Sequence, residues 1–207
     1  MTEHTDSSTP SPEPAQPTGA VESAAPTGSI MLEAVAAEIE GFVHASGWDA
    51  PTTLFALVPT RQLAADPAAA AMLSPDGTPL NPEEIADNAI TPIAQDELPE
   101  GALDEVLAQI GWPDEVIGCA VSQQIVMLPP SAESSVDFDD LEPHRAIETA
   151  ASHPDRREAR LVVAVLRSGD AAGILRLRGT DGAADDLLTG RELAPNLVAA
   201  LADTLND

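Results

Sequence analysis

The chain predicts an α+β fold in which helices pack on a mixed, mostly antiparallel sheet, with a β-hairpin and a last helix at the C-terminal end. Three observations carry this expectation. An apolar stripe at helical spacing runs through Leu32, Val35, Ile39, Phe42 and Val43. Continuous apolar runs at Leu54 to Val58 and Val116 to Val121 read as buried strands. Two alternating segments, Arg160 to Arg167 and Ala171 to Arg178, flank the turn residues Ser168-Gly169-Asp170.

Residues 1–28 hold Ser, Thr, Pro, Ala and Glu with scarcely any bulky apolar residue, too little to offset chain entropy. They read as a disordered acidic tail, and residues 29–207 as one globular domain. Ser29 suits the N-cap of a first helix that runs to about Ser46. Gly47 then sits where a helix-terminating residue with positive φ is wanted, and Trp48 where a side chain folds back onto the last turn. The same grammar returns at Gly111-Trp112 after the stripe Leu103, Val106, Leu107 and Ile110, so both helices are expected to end by one device.

Thr60 to Ala65 and Pro67 to Leu73 read as helices, with Asp66 capping the second. A turn is expected at Pro75-Asp76-Gly77, and a short capped helix at Asn81, Pro82 and Glu84. Ile90 to Ala94 reads as an edge strand, because Pro92 cannot donate to a central ladder. A long strand spans Val116 to Leu128, stopped by Pro129 and Pro130, and an acidic loop leads to a helix over Pro143 to Ser152. In the hairpin a three-residue loop of Ser168, Gly169 and Asp170 pairs Val163 with Leu175 and Leu161 with Leu177. A short helix follows near Asp185 to Leu188. Leu193, Leu197, Leu201 and Leu205 mark the last helix, with Pro195 in its first turn.

The chain has 207 residues, Lys+Arg 9 against Asp+Glu 35, and a formal net charge of −26. That excess repels phosphate backbones, so no nucleic acid is expected as a partner. With no lysine, Schiff-base chemistry, a pyridoxal-phosphate anchor and a Walker-type phosphate loop are excluded. A single Cys119 excludes a thiolate zinc site, an iron–sulfur cluster and an intramolecular disulfide. No apolar run approaches the ~20 residues of a membrane span, and the first residues lack a signal-peptide pattern. A cytoplasmic protein that does not engage membranes is the expectation.

The candidate ligand-binding residues are Arg160, Arg176 and Arg178. The expected register sets Arg160 across from Arg178 and Val162 beside Arg176, so three guanidiniums project from one side of the hairpin. Arg offers planar forked donors suited to carboxylate or phosphate, and pairing with the chain's own carboxylates is the competing use. Arg156 and Arg157 would enlarge the face. Asp137, Asp139, Asp140, Glu142 and His144 are hard-metal ligand types without EF-hand spacing, and read as a loop rather than a metal site. No hydrolase elbow or zinc-protease helix accompanies His44, His144 or His153. Cys119 reads as a buried thiol with a raised pKa. No catalytic residue, metal or cofactor is expected.

Gly47-Trp48-Asp49, 54–60 (Leu-Phe-Ala-Leu-Val-Pro-Thr) and 111–116 (Gly-Trp-Pro-Asp-Glu-Val) form part of a wider pattern. With Gly118-Cys119-Ala120, Leu128-Pro129-Pro130, Val165-Leu166-Arg167, Leu175-Arg176-Leu177-Arg178 and 193–197, the chain resembles an uncharacterised conserved actinobacterial protein family over about Met31 to Leu205. Ser122-Gln123-Gln124 departs from the family's pattern. The resemblance implies a cytosolic actinobacterial protein and carries over no activity, cofactor or residue role. The functional expectation is a non-enzymatic binding or regulatory domain that engages a protein partner. The alternative is a small-molecule or anion-binding sensor or enzyme built on the Arg160, Arg176 and Arg178 face. Homo-oligomerisation through the hairpin edge is compatible with either.

Overall fold

A computed structural model describes residues 27–73, 80–129, 143–180 and 182–206. Its elements are helix α1 (Thr27–Ala45), strand β1 (Thr53–Pro59), helices α2 (Thr60–Ala65) and α3 (Pro67–Leu73), and a 3₁₀ turn at Pro82–Glu84. Strand β2 (Ile90–Ala94), helix α4 (Leu103–Leu107), strand β3 (Gly118–Met127) and helix α5 (Pro143–Ser152) follow. Strands β4 (Arg157–Leu166), β5 (Ala171–Leu177) and β6 (Asp186–Gly190) precede helix α6 (Pro195–Asp203). The six strands form one sheet in the order β2-β1-β3-β4-β5-β6, and every neighbouring pair is antiparallel.

Side-chain alternation divides the core into two layers. Phe55, Leu57, Ala120, Val162, Ala164 and Ile174 face α1, where they meet Leu32, Val35, Ile39 and Val43. Leu54, Ala56, Cys119, Val121, Val163 and Val165 face the other way, against Leu107 of α4, Leu201 of α6 and Leu205 beyond it. Burial on both sides explains why β1 and the first half of β3 are continuously apolar rather than alternating. Local rules hold at several ends. The Asp66 side chain accepts from the Ala68 N–H at 2.9 Å, the Asn81 side chain accepts from Glu83 N–H at 3.1 Å, and Pro195 opens α6. Strand β2 is an edge strand and contains Pro92.

Several local expectations are corrected. Helix α1 already includes Thr27 and Gly28, so Ser29 lies inside it rather than at its cap. Gly47 does take φ +90°, but Gly111 is not among the residues with positive φ, and α4 ends at Leu107 with Ala108 still in the right-handed helical region. The two helices therefore stop differently. Trp112 is instead tethered to the opposite end of the chain, its Nε1–H donating to Thr204 Oγ1 at 3.0 Å.

The hairpin keeps its parity but shifts by two residues. Arg160 pairs with Arg176, Leu161 with Leu175 and Val163 with Gly173. The Gly169 N–H bonds to Leu166 O at 2.9 Å, and Leu166 N–H to Asp170 O at 2.9 Å, so the loop is Arg167, Ser168 and Gly169. In a three-residue hairpin the left-handed residue comes last, and Gly169 at φ +88° fills that place only in this register. The segment expected as a helix near Asp185 to Leu188 is strand β6. The free edge of β5 supplies it with a ladder, and that outweighs the weak local preference of a five-residue run. As a result β6, not the hairpin, is the outer edge on this side.

The Pro75-Asp76-Gly77 turn, the acidic run from Asp137 to Glu142 and residues 1–26 of the tail lie outside the described residues. Among the described residues no helix is long and apolar enough to cross a membrane.

Candidate functional site

Arg160, Arg176 and Arg178 do share one side of the hairpin, because a two-residue period puts the directly paired Arg160 and Arg176 on the same face and Arg178 two steps on. Helix α1 lies over part of that face and lowers Glu40 onto it. The Glu40 carboxylate takes a forked pair of hydrogen bonds from Arg176, Nε to Oε1 at 2.5 Å and Nη2 to Oε2 at 2.6 Å. Arg160 Nη1 stands 3.5 Å from the same carboxylate, and its Nη2 donates to the carbonyl of Gly47. Asp185 approaches Arg176 at 3.7 Å, and Arg178 pairs with Glu158. The Trp48 ring is the floor: the Arg160 guanidinium carbon is 4.9 Å and that of Arg178 5.3 Å from its centroid, within cation–π range.

Arg160 is 1% and Glu40 3% exposed. Burial alone would raise the Glu40 carboxyl, but the hydrogen bonds and charge of Arg176, with His44 and Arg160, outweigh it and hold the group below its ordinary value. The hydrogen bond from Arg176 to Glu40 in turn raises the Arg176 pKa against the opposing effect of desolvation. Two guanidiniums are thus matched to Glu40 and Asp185, which ties the end of α1 to the centre of the sheet. Arg160 Nη1 has no hydrogen-bond partner among the described residues, a cost set against Coulomb attraction and the stack on Trp48.

The other candidates disperse. Arg156 is exposed beyond the start of β4, and Arg157 donates to the carbonyl of Arg178 at 3.3 Å. His44 is exposed in the last turn of α1, and His153 Nδ1 accepts from the Asp155 N–H at 3.1 Å. The His144 side chain lies outside the described residues. Cys119 is buried, and desolvation pushes its thiol to about 11 despite nearby Thr204, Trp112 and Arg167. Among the described residues no three His, Cys, Asp or Glu side chains are grouped to hold a metal.

Sequence reasoning missed a different feature. Phe42 sits on the apolar stripe of α1 yet is 63% exposed, edge-on to Phe55 with ring centroids 6.3 Å apart at 88°. With Ile39, Phe55, Pro92 and Ala94 it lines a groove of about 330 Å³ between α1 and edge strand β2, and Glu38 stands on its rim. The available signal was angular: Phe42 is at the margin of the stripe, where helix geometry leaves it facing the flank of the sheet rather than its centre. An apolar groove of this kind can take up apolar side chains of another molecule.

A family model described as PPA1309-like protein matches residues 32–206. No curated protein and no solved structure matches the chain.

Proposed function

The chain belongs to the PPA1309-like protein family, and from its surface we propose that it is a non-enzymatic binding domain that engages a protein partner in the actinobacterial cytoplasm. The observation that carries this reading is the groove beside Phe42, an apolar recess on a chain of net charge −26. Phe42, 63% exposed and edge-on to the buried Phe55, is not isolated but part of a contiguous apolar recess, the kind of surface that a partner can cover. The surrounding negative field speeds encounter and orients a basic partner, while the apolar contact sets how long it stays.

The anion-binding alternative finds less support. Arg160 and Arg176 are engaged by Glu40, and a ligand carboxylate or phosphate at Arg178 competes with Glu158. Displacing a buried internal carboxylate leaves it unpaired in a dry site, a cost of several kcal/mol that a small anion must first overcome.

The test is a comparison of affinity captures from an actinobacterial lysate with wild type, Phe42→Asp and Leu187→Asp, the last placing its charge on the opposite edge strand. A protein held by wild type and by Leu187→Asp but reduced at least tenfold with Phe42→Asp is the expected result. Identical captures from all three baits would remove the groove as the docking face.

A further inference from the structure

Resting on that reading, we propose that the groove between α1 and β2 receives a cationic amphipathic α-helix of the partner protein, laid beside α1, and not an added β-strand. The first argument is the width of the sheet. Helix α1 runs obliquely across the sheet, in contact with β5, β4, β3 and β2, and a rod about 10 Å across laid that way over a sheet roughly 24 Å wide leaves strand surface open beside it. Among the described residues, the helical members of the core layer on this face are all from α1. Among the described residues the surface between α1 and β2 is left open, and that opening is the groove, floored by Phe55, Pro92 and Ala94. Packed helices lie with axes about 8–10 Å apart, and the recess adjoins α1 directly, with Ile39 and Phe42 as one wall.

Backbone hydrogen bonding argues against a strand. Gln95 N–H bonds to Leu54 O at 2.9 Å and Thr60 N–H to Ala89 O at 2.9 Å, so the odd-numbered residues of β2 turn their peptide groups toward β1. By alternation, Ile90, Pro92 and Ala94 turn theirs to the free edge. The central one is a proline without an N–H, so an incoming strand finds a gap in the middle of a five-residue edge. Apolar side chains at i, i+3, i+4 and i+7 of a helix need no such ladder.

Charge identifies the partner further. Glu38 lies at the rim and the chain carries −26, so a helix with Lys or Arg flanking its apolar stripe is attracted and an acidic one is repelled. A second copy brings another −26 and is disfavoured. Residues 1–26 offer Met1 and Val21 as their larger apolar side chains, too few to fill the recess.

The experiment titrates three fluorescent 18-residue peptides against the full chain at 150 mM salt: a Leu/Lys amphipathic helix, a Leu/Glu helix of the same pattern, and a Leu/Lys peptide of strictly alternating pattern. The proteins are wild type, Phe42→Asp, Ala94→Asp and Leu187→Asp, each checked for an unchanged thermal transition. All three variants are more acidic than wild type, so charge attraction alone strengthens Leu/Lys binding in each. The expected result is saturable binding of the Leu/Lys helix, weakened at least tenfold in Phe42→Asp and Ala94→Asp and not in Leu187→Asp. The other two peptides bind wild type at least tenfold more weakly. Equal binding of the alternating or the acidic peptide overturns the helical or the cationic assignment. A Phe42-dependent dimer in light scattering makes a second copy the occupant and overturns both. If a Phe42-dependent protein is still captured from the lysate, the docking face itself survives such a failure; loss of Phe42 dependence in both experiments removes it.

Discussion

Arg167 shows how a single side chain can serve as a fastening without a counter-ion. Its Nε donates to Val116 O at 2.8 Å and its Nη2 to Trp112 O at 3.0 Å and Pro113 O at 3.3 Å, while Nη1 reaches the carbonyl of Leu205. One guanidinium therefore joins the hairpin turn, the segment after α4 and the end of the chain. Hydrogen bonds from a charged donor are worth roughly 1.5–3 kcal/mol in sheltered sites, and solvent at this surface position reduces each. Arg167→Met is expected to lower unfolding free energy by about 2 kcal/mol in a urea titration. A change within error would mean that water replaces all these contacts at no cost. Arg167 stands in the pattern shared with the family, but nothing in the sequence showed its role, because its partners are backbone carbonyls distant in the chain, and carbonyls have no residue type.

Helix α1 is held on the sheet by its apolar stripe and by Glu40, and the two are legible to different degrees. Leu32, Val35, Ile39 and Val43 follow from period alone. Glu40 lies next to Ile39 on the buried side, and a carboxylate there has meaning only once the strands deliver Arg160 and Arg176 beneath it. Because its folded pKa is depressed, Glu40 stabilises the fold above the ordinary carboxyl value of 4.5, and that contribution is lost as pH falls through its lower folded value. Glu40→Gln is expected to cost about 3 kcal/mol at pH 7, the cost of leaving buried cations without their counter-ion. The gap between wild type and variant should narrow below pH 4.5, where the unfolded chain takes up a proton that the native carboxylate still refuses, until pH passes the lower folded value. Chemical denaturation across pH 3 to 7 measures it, and a gap constant over that range would show that Glu40 contributes shape and not charge. At the same scale, the hairpin was readable as a hairpin but not in its register. Parity was secure from the alternation of Leu161, Val163 and Val165, whereas the two-residue shift turned on which loop position Gly169 takes.

Across the whole molecule the net charge of −26 is expected to outweigh the local pairing of surface charges. Like charges in a compact state repel, and salt screens exposed pairs over about 10 Å at 0.1 M while leaving the buried Glu40 pairs nearly untouched. Raising sodium chloride from 10 to 500 mM is therefore expected to increase the thermal midpoint, followed by circular dichroism. A falling midpoint would indicate that exposed pairs such as Arg61 with Asp87 outweigh the general repulsion.

By itself, the sequence determined the α+β class, the place of nearly every helix and strand, the edge position of the proline-bearing strand, and the impossibility of lysine and multi-cysteine chemistry. These depend on residue type, spacing and local turn chemistry, which act over a few residues. Tertiary structure alone decided the identity of β6, the covering of the arginine face by Glu40 and Trp48, and the exposure of Phe42. Each of these depends on which surfaces meet across long stretches of chain: a free strand edge recruits a partner, a buried cation draws a carboxylate, and a helix laid obliquely over a sheet turns one margin of its apolar stripe to the open side.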